Sequence, residues 1–398
     1  LILRVTASAL EAELRQIGVH EASINIFRQR SAIEPLKLFG VRTPAANILK
    51  QEILSAGADC AVHCHTIDCK EEKTDVLLLG TRKHYYELLR KLRPMTFLGL
   101  PALAAELAAF LGQAAPVTTL ADGRVLTYER LKIMGIVNAT PDSFFADSRA
   151  QLLDAGLARA AAMLEAGADL LDVGGESTRP GSEAVSAAEE CERVVPLIEA
   201  IKQRLPQAIV SIDPYRAGTA KAALAAGADL VNDISALEAD AGMAAVAAAA
   251  QAPVILMHMQ GAPKTMQDNP TYRDVTSDVT AYLQARIDYA RAQGLRPDQL
   301  LVDPGIGFGK TVAHNLTLMK RLQEFTSFGL PVLLAASRKG TIGQVLGGLP
   351  PEERLEGTMA TTARGVAAGV NIFRVHDVEP NLRLARMLEA IRRGKVSI

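Results

Sequence analysis

Eight short apolar runs recur along the last two thirds of the chain, and each closes on a polar or charged residue. LKIMGIVN ends at Asn138, DLLDVGG carries Asp172, AIVSID ends at Asp213, and DLVNDI holds Asn232 and Asp233. PVILMHM, LLVDPG, PVLLAAS and NIFRVHD close around His258, Asp303, Ser337-Arg338-Lys339, and Arg374 with His376. Runs this rich in Val, Ile and Leu, separated by helix-length stretches, read as parallel strands buried on both faces. Eight in series predict an α/β fold, a closed (β/α)8 TIM barrel over 131–398, close to the roughly 250 residues such a barrel takes. Strand ends converge on one mouth in that architecture, so the terminal polar residues are expected to line an active site.

The first 111 residues alternate strand-like and helical pieces and predict a separate small α/β domain. LILRV, ASINIF, AIEPLKLF, CAVHC and TDVLLLGT read as strands. Helical periodicity covers 7–17, 44–56, 82–92 and 101–111, with Thr43 before Pro44 as a cap and first-turn proline. Residues 112–130 are expected to be a linker followed by a hairpin around Asp122-Gly123 that caps the barrel's N-terminal end. EAGAD, AAGAD and, more loosely, AAGVN recur where a helix ends and a strand begins. The Gly is expected to adopt a left-handed turn there, a solution on which helix-to-strand connections converge without recent duplication.

Composition narrows the function classes. With 43 Lys+Arg against 44 Asp+Glu, no global field favours nucleic acid or an anionic membrane. No apolar stretch approaches the roughly 20 residues that span a bilayer. The first residues show no basic region, apolar core and cleavage site in succession. Three of the four Cys crowd into ten residues, which is not a disulfide framework, and the expected compartment is a reducing cytoplasm. The crowded segment, Cys60, His63, Cys64, His65 and Cys69, has irregular spacing for a metal, and strand alternation would split its cysteines from its histidines. Buried cysteines on a strand are the expectation there.

The strand-end residues sort into two chemical sets. Thr178 and Arg179 of GGESTRPG, with Arg374 and His376, offer the hydroxyl, guanidinium, imidazole and backbone N–H groups that suit a di- or tri-anion. Alternation points Arg374 and His376 to the same side of their strand. Asn138 supplies a neutral oxygen for a magnesium ion or a phosphate. The second set, Asp172, Asp213, Asn232, Asp233 and Asp303, needs partners if buried. Together they fit a ligand with amide-like or amidine-like N–H donors at one end and phosphates at the other. DPGIGFGKT invites a P-loop reading, but the GxxxxGK[ST] spacing needs a glycine where Pro304 stands, leaving at most a Gly-rich anion cradle. His258 lacks convergent zinc ligands and is expected to support the barrel.

At these residues the chain resembles the dihydropteroate synthases of the pterin-binding barrel family. NATPDSF, DVGGESTRPGSEAVSAAEE, SID, NDIS, MHMQGAPKTMQ, DPGIGFGKT, SRK and RVHDV are similar to that family's signatures and follow its order over about 117–398. The resemblance implies condensation of p-aminobenzoate with 6-hydroxymethyl-7,8-dihydropterin diphosphate, assisted by Mg2+, in a homodimer with small-molecule partners only. It implies that Asp213, Asn232, Asp303 and Lys339 hold the pterin edge, with Asp172 and Met259 nearby. Asn138, Arg374 and His376 would hold the diphosphate with magnesium. Thr178, Arg179 and Pro180, with Phe308 and Lys339 opposite, would border the arylamine, and Arg374, His376, Lys339 and Asp213 would carry the reaction.

The chain departs from the family pattern at SFFADSRA in the first loop, at Pro214 after Asp213, and at Gly340 after Lys339, where a serine is common. These changes bear on arylamine affinity more than on pterin binding. Two rivals share the pocket. A methyltetrahydrofolate–corrinoid methyltransferase would not need the diphosphate cations, and a non-catalytic pterin-binding module would bind without turnover. The first 111 residues have no counterpart in the barrel family's reaction, and a docking role is expected for them over catalysis.

Overall fold

The computed structural model describes residues 10–139, 149–176, 185–262 and 265–394. The chain divides into two compact units, Leu1–Ala114 and Ala115–Ile398. In the first, α1 (Leu10–Ile17) and α2 (Glu21–Arg30) precede β1 (Glu34–Arg42), α3 (Thr43–Ser55), β2 (Asp59–Val62), β3 (Lys73–Gly80), α4 (Arg82–Leu92) and α5 (Leu100–Leu111). The strands form an antiparallel sheet in the order β1-β3-β2. Alternate residues of β3, among them Val76 and Leu78, pack with Leu49, Ile53, Leu88 and Leu92 from the helices.

One strand expectation in this unit fails, a second is cut short, and a third, LILRV, falls outside the described residues. ASINIF is helical, within α2. Its short alternation loses to end signals: His20 caps the helix by accepting from Ala22 N, Glu21 stands in the first turn, and Arg28 and Arg30 in the last complement the helix dipole. CAVHC stays extended only to Val62, and Cys64–Thr66 form a 3-10 turn with the His63 ring nitrogen accepting from His65 N. Strand alternation therefore does not govern the histidines there.

The second unit opens with a hairpin, β4 (Val117–Thr119) and β5 (Val125–Thr127). The barrel follows as β6 (Lys132–Asn138), α6 (Arg149–Glu165), β7 (Leu170–Gly174), α7 (Ala187–Arg204), β8 (Val210–Ile212), α8 (Ala217–Ala225), β9 (Leu230–Asp233) and α9 (Met243–Ala249). It continues as β10 (Val254–Met257), α10 (Val275–Ala292), β11 (Leu300–Asp303), α11 (Val312–Lys320), β12 (Leu333–Leu334), α12 (Gly340–Val345), α13 (Leu355–Ala368), β13 (Ile372–Val375) and α14 (Val378–Arg393). The parallel sheet runs β11-β10-β9-β8-β7-β6-β13-β12, and a parallel bridge from Val302 to Val332 brings its two ends together. This is the expected (β/α)8 barrel.

Alternation sets what each strand offers the interior. Leu171, Val173, Val231, Leu256, Val302 and Phe373 face the helices, in one core cluster with residues such as Leu197, Ile198 and Leu283. At the barrel's N-terminal end, Met134, Leu170, Leu230, Ile255, Leu301, Leu333 and Ile372 meet Leu120 and Leu126, so the hairpin adds to the floor of the barrel. Two residues further along the same inward faces, this apolar layer gives way to Asp172, Asn232, Asp303 and Arg374.

The recurring helix-to-strand turn has a physical basis. Gly167, Gly227 and Gly369 take positive φ (95°, 107° and 82°) as α6, α8 and α13 end. The residue two places on then accepts from a neighbouring backbone: Asp169 from Ile133 N at 3.0 Å, Asp229 from Val210 N at 2.8 Å, and Asn371 from Val332 N at 2.9 Å. The repeat is a stitch that fixes where each strand starts beside its neighbour.

Candidate active site

At the C-terminal ends of the strands, the inward polar layer forms one bonded set. Asp172 is fully buried, and its Oδ2 accepts from Asn232 Nδ2 at 3.1 Å and Arg374 Nε at 2.5 Å. Arg374 Nη2 donates to Asp213 Oδ2 at 2.8 Å, so one guanidinium bridges two carboxylates. Burial raises the Asp213 carboxyl to about 7; Arg374 opposes the rise and Asp172 adds to it. Burial alone would lower Arg374, but the two carboxylates beside it raise it above its ordinary value. The outer oxygens, Asp172 Oδ1 and Asp213 Oδ1, are buried and have no hydrogen-bond partner among the described residues.

Asp303, 2% exposed, accepts from Gly305 N at 2.7 Å; burial raises its carboxyl and Lys339 draws it back. Lys339 donates to Ile306 O and lies 4.6 Å above the Phe308 ring. Burial lowers its ammonium to about 8, against the pull of Asp303. Met259 is half-buried just beyond β10. Asn138 tops β6 opposite Gly174, where an added Cβ would lie 3.8 Å from Asn138 Oδ1 and 3.9 Å from Asp213 Oδ2. The described part of the expected site thus gathers at one barrel mouth. Thr178, Arg179, Pro180 and the altered first-loop residues 143–148 lie outside the described residues.

Two expectations change in detail. Asp233 is consumed by its own turn, accepting from Ser235 N, Ser235 Oγ and Leu237 N, and is not a ligand-facing acid. His376 is not a second cation beside Arg374: burial, with Arg374 and Arg338 nearby, lowers its imidazole to about 3. Its Nδ1 lies 3.0 Å from Ser337 Oγ, which also accepts from His376 N. Arg338, at a positive φ of 57°, is held on every side. Its side chain makes two bonds to Asp377, its N–H meets Thr358 Oγ1, and its carbonyl accepts from Arg354. A strained residue persists where its surroundings over-determine it, and this one sets Ser337 and Lys339 on either side.

A second network escaped the sequence reading. Arg216 Nη1 bonds Glu176 Oε2 at 2.8 Å and Glu190 Oε2 at 2.9 Å, while its Nη2 donates to Val185 O at 2.8 Å. Tyr215 Oη donates to Glu176, and Thr219 Oγ1 to Glu190. Nothing in the sequence pairs Glu176 with an arginine 40 residues later; the βα repeat that brings their strand ends together was the available signal.

No group of three or more His, Cys, Asp or Glu suited to a metal occurs among the described residues. In the first unit, His63, Glu71, Lys73, Thr74 and Asp75 line a shallow, open depression. No described helix is long and apolar enough to cross a membrane.

Comparison with known proteins matches residues 134–376 to the family described as pterin binding enzyme. The dihydropteroate synthase of Synechocystis sp. is 44% identical over 265 residues, 67% of this chain and 91% of that protein. A probable bifunctional folylpolyglutamate synthase/dihydropteroate synthase of Halobacterium salinarum is 40% identical over 355 residues, 89% of this chain and 42% of that one. Among solved structures, Xanthomonas albilineans dihydropteroate synthase with 4-aminobenzoic acid superposes with a TM-score of 0.65 at 39% identity, covering 70% of this chain and 99% of that one.

Proposed function

This chain belongs to the pterin-binding enzyme family, as a dihydropteroate synthase, and from that premise we propose how its residues divide the reaction. The reaction joins p-aminobenzoate to 6-hydroxymethyl-7,8-dihydropterin diphosphate, giving 7,8-dihydropteroate and pyrophosphate. The observation that carries our assignment is the pair of buried oxygens without a partner among the described residues, Asp172 Oδ1 and Asp213 Oδ1. A buried acceptor without a donor costs roughly 1–3 kcal/mol, and more when charged. The 2-amino and ring N–H groups of a pterin are donors of the right kind to relieve that cost. Asn232, Asp303 and Lys339 complete the pterin edge in this reading, with Met259 beside it and Phe308 under the Lys339 ammonium, towards the arylamine.

Arg374 spends Nε and Nη2 on the carboxylates, and we assign Nη1 to a diphosphate oxygen. The neutral His376, with Nδ1 engaged by Ser337, is assigned the same task through Nε2. As the C–O bond to the pterin methylene breaks, its electron pair leaves with pyrophosphate, and fixed donors stabilise that growing charge without reorganising. The amine nitrogen of p-aminobenzoate forms the new C–N bond. The arylammonium so formed is acidic enough to lose its proton to water or pyrophosphate, so no dedicated base is assigned. Asp172 and Asp213 would meanwhile stabilise positive charge developing on the pterin.

Magnesium fits this donor set only as a shared ion. Mg2+ commonly takes one or two protein oxygens and completes its shell with water and substrate phosphates, and Asn138 Oδ1 is the protein oxygen we assign. When bound, the ion would neutralise the leaving diphosphate. The dimer through barrel helices rests on the family resemblance and the cytoplasmic setting on the cysteine usage; light scattering of the purified chain tests the first. Calorimetric titration of the pterin diphosphate into the wild type and Asp213→Asn tests the pocket assignment. Binding by the wild type that Asp213→Asn loses supports it; equal affinities would contradict it.

A further inference from the structure

Of the Gly-rich stretch after β11, the proposed reaction uses Phe308 and leaves the lysine unassigned. Its lysine, Lys310, stands where a P-loop lysine would meet a phosphate, yet it turns inward and is 2% exposed. Its Nζ lies 2.8 Å from His258 Nδ1 and donates to the carbonyls of His258, Gly305 and Phe308 at 3.2, 2.9 and 2.9 Å. An ammonium group only donates, so a charged Lys310 shares three hydrogens among four acceptors, with His258 Nδ1 one of them. Burial pushes the Lys310 ammonium well below its ordinary value, Asp303 opposes this, and Lys339 adds to it.

The bonds of Lys310 join two loops whose backbones touch. Gly305 (φ +68°) and Gly309 (φ +60°) leave no room for a side chain: an added Cβ would lie 1.9 Å from His258 O and 2.2 Å from Gln260 O. His258 is wedged edge-on against Tyr282, with ring centroids 4.8 Å apart, and Tyr272 Oη donates to Gly309 O at 2.7 Å. The loop after β10 thereby fixes Met259, the residue following His258. The loop after β11 fixes Ile306 O, which accepts from Lys339, and Phe308, which lies beneath Lys339.

We propose that Lys310 is a positioning residue for the pterin diphosphate: it ties His258 to Gly305 and Phe308, and so sets Met259, Phe308 and Lys339 around the pterin without touching it. The proposal rests on the reading of the mouth as a pterin site. The test is calorimetric titration of 6-hydroxymethyl-7,8-dihydropterin diphosphate into the full chain with magnesium. Lys310→Met, of similar length but without donors, is expected to weaken binding by about tenfold or more at unchanged helix content, since small misplacements in a site carry penalties of that order. A merely structural role would lower the fraction of binding-competent chain and leave the Kd of that fraction unmoved; that result overturns the proposal. Should Lys310→Met fail to fold, a pair at His258 decides. His258→Asn keeps an acceptor near the Nδ1 position and should hold the wild-type Kd, while His258→Leu should lose it; equal behaviour of the two overturns the proposal. A wild type that binds no pterin diphosphate removes the pterin reading and the proposal together, whereas a binding wild type with unmoved variants removes the proposal alone.

Discussion

Asp213 is the side chain on which the pH response of this site turns. Its carboxyl sits near 7, mainly through burial, against 3.8 for an ordinary aspartate. Between those values the folded chain keeps a proton that the unfolded chain has lost, so this group's contribution to stability is present below 3.8 and fades as pH rises through 7. Pterin binding runs the other way, because a carboxylate accepts two N–H donors and a carboxylic acid does not. Pterin affinity is therefore expected to fall as pH drops below about 7, as a pH series of titrations of the wild type should record; a flat series would contradict it. Arg374→Ala strands two buried carboxylates at once. Removing one partner of a buried pair costs about 3–5 kcal/mol, so denaturant titration should show a loss of that order together with lost turnover; full stability would contradict the bridging role. Which residues reach the mouth was legible in the sequence, because alternation is a property of the backbone. Which partner each would choose was not. Asp233 is satisfied by its own turn, two and four residues on, whereas Arg374 turns to Asp172 and Asp213 and His376 is neutral through packing between strands far apart in sequence.

The strands and most of the barrel helices were legible because a run buried on both faces leaves little ambiguity in a sequence. The Gly-x-Asp turns were visible too, but their purpose was not, since nothing in the motif says that Asp169 and Asp229 will accept from the backbone of the preceding strand. Short elements were the weak point. ASINIF alternates like a strand over six residues, yet the capping and charge pattern around it make a helix. The hairpin of β4 and β5 was expected as a cap, and Leu120 and Leu126 do pack on the inward residues of the barrel floor. Leu126→Ala should cost about 2–5 kcal/mol, the usual range for truncating a buried leucine. Because the layer of Met134, Leu170 and Leu230 stands between Leu126 and the polar layer, KM values should stay at the wild-type level. Denaturant melts and steady-state kinetics on the same preparation check both halves, and a changed KM with unchanged stability would contradict this division.

At the scale of the molecule, the family match lies wholly within the second unit, whereas the Halobacterium salinarum alignment is longer than that unit and reaches into the first. The barrel unit has its own core, distinct from the cluster around Leu49, Val76 and Leu88 in the first. A chain starting at Ala115 is accordingly expected to fold and to keep turnover within a few-fold of the full chain, as thermal melts and initial rates would record; a folded but inactive barrel would assign the first unit a part in the reaction, and an unfolded one a part in stability. The most direct test of the account is a single incubation of the full chain with magnesium and 6-hydroxymethyl-7,8-dihydropterin diphosphate, with and without p-aminobenzoate, following pyrophosphate and dihydropteroate together. The account predicts both products in equal amounts, and only when the amine is present. Pterin diphosphate bound but neither product formed would contradict it.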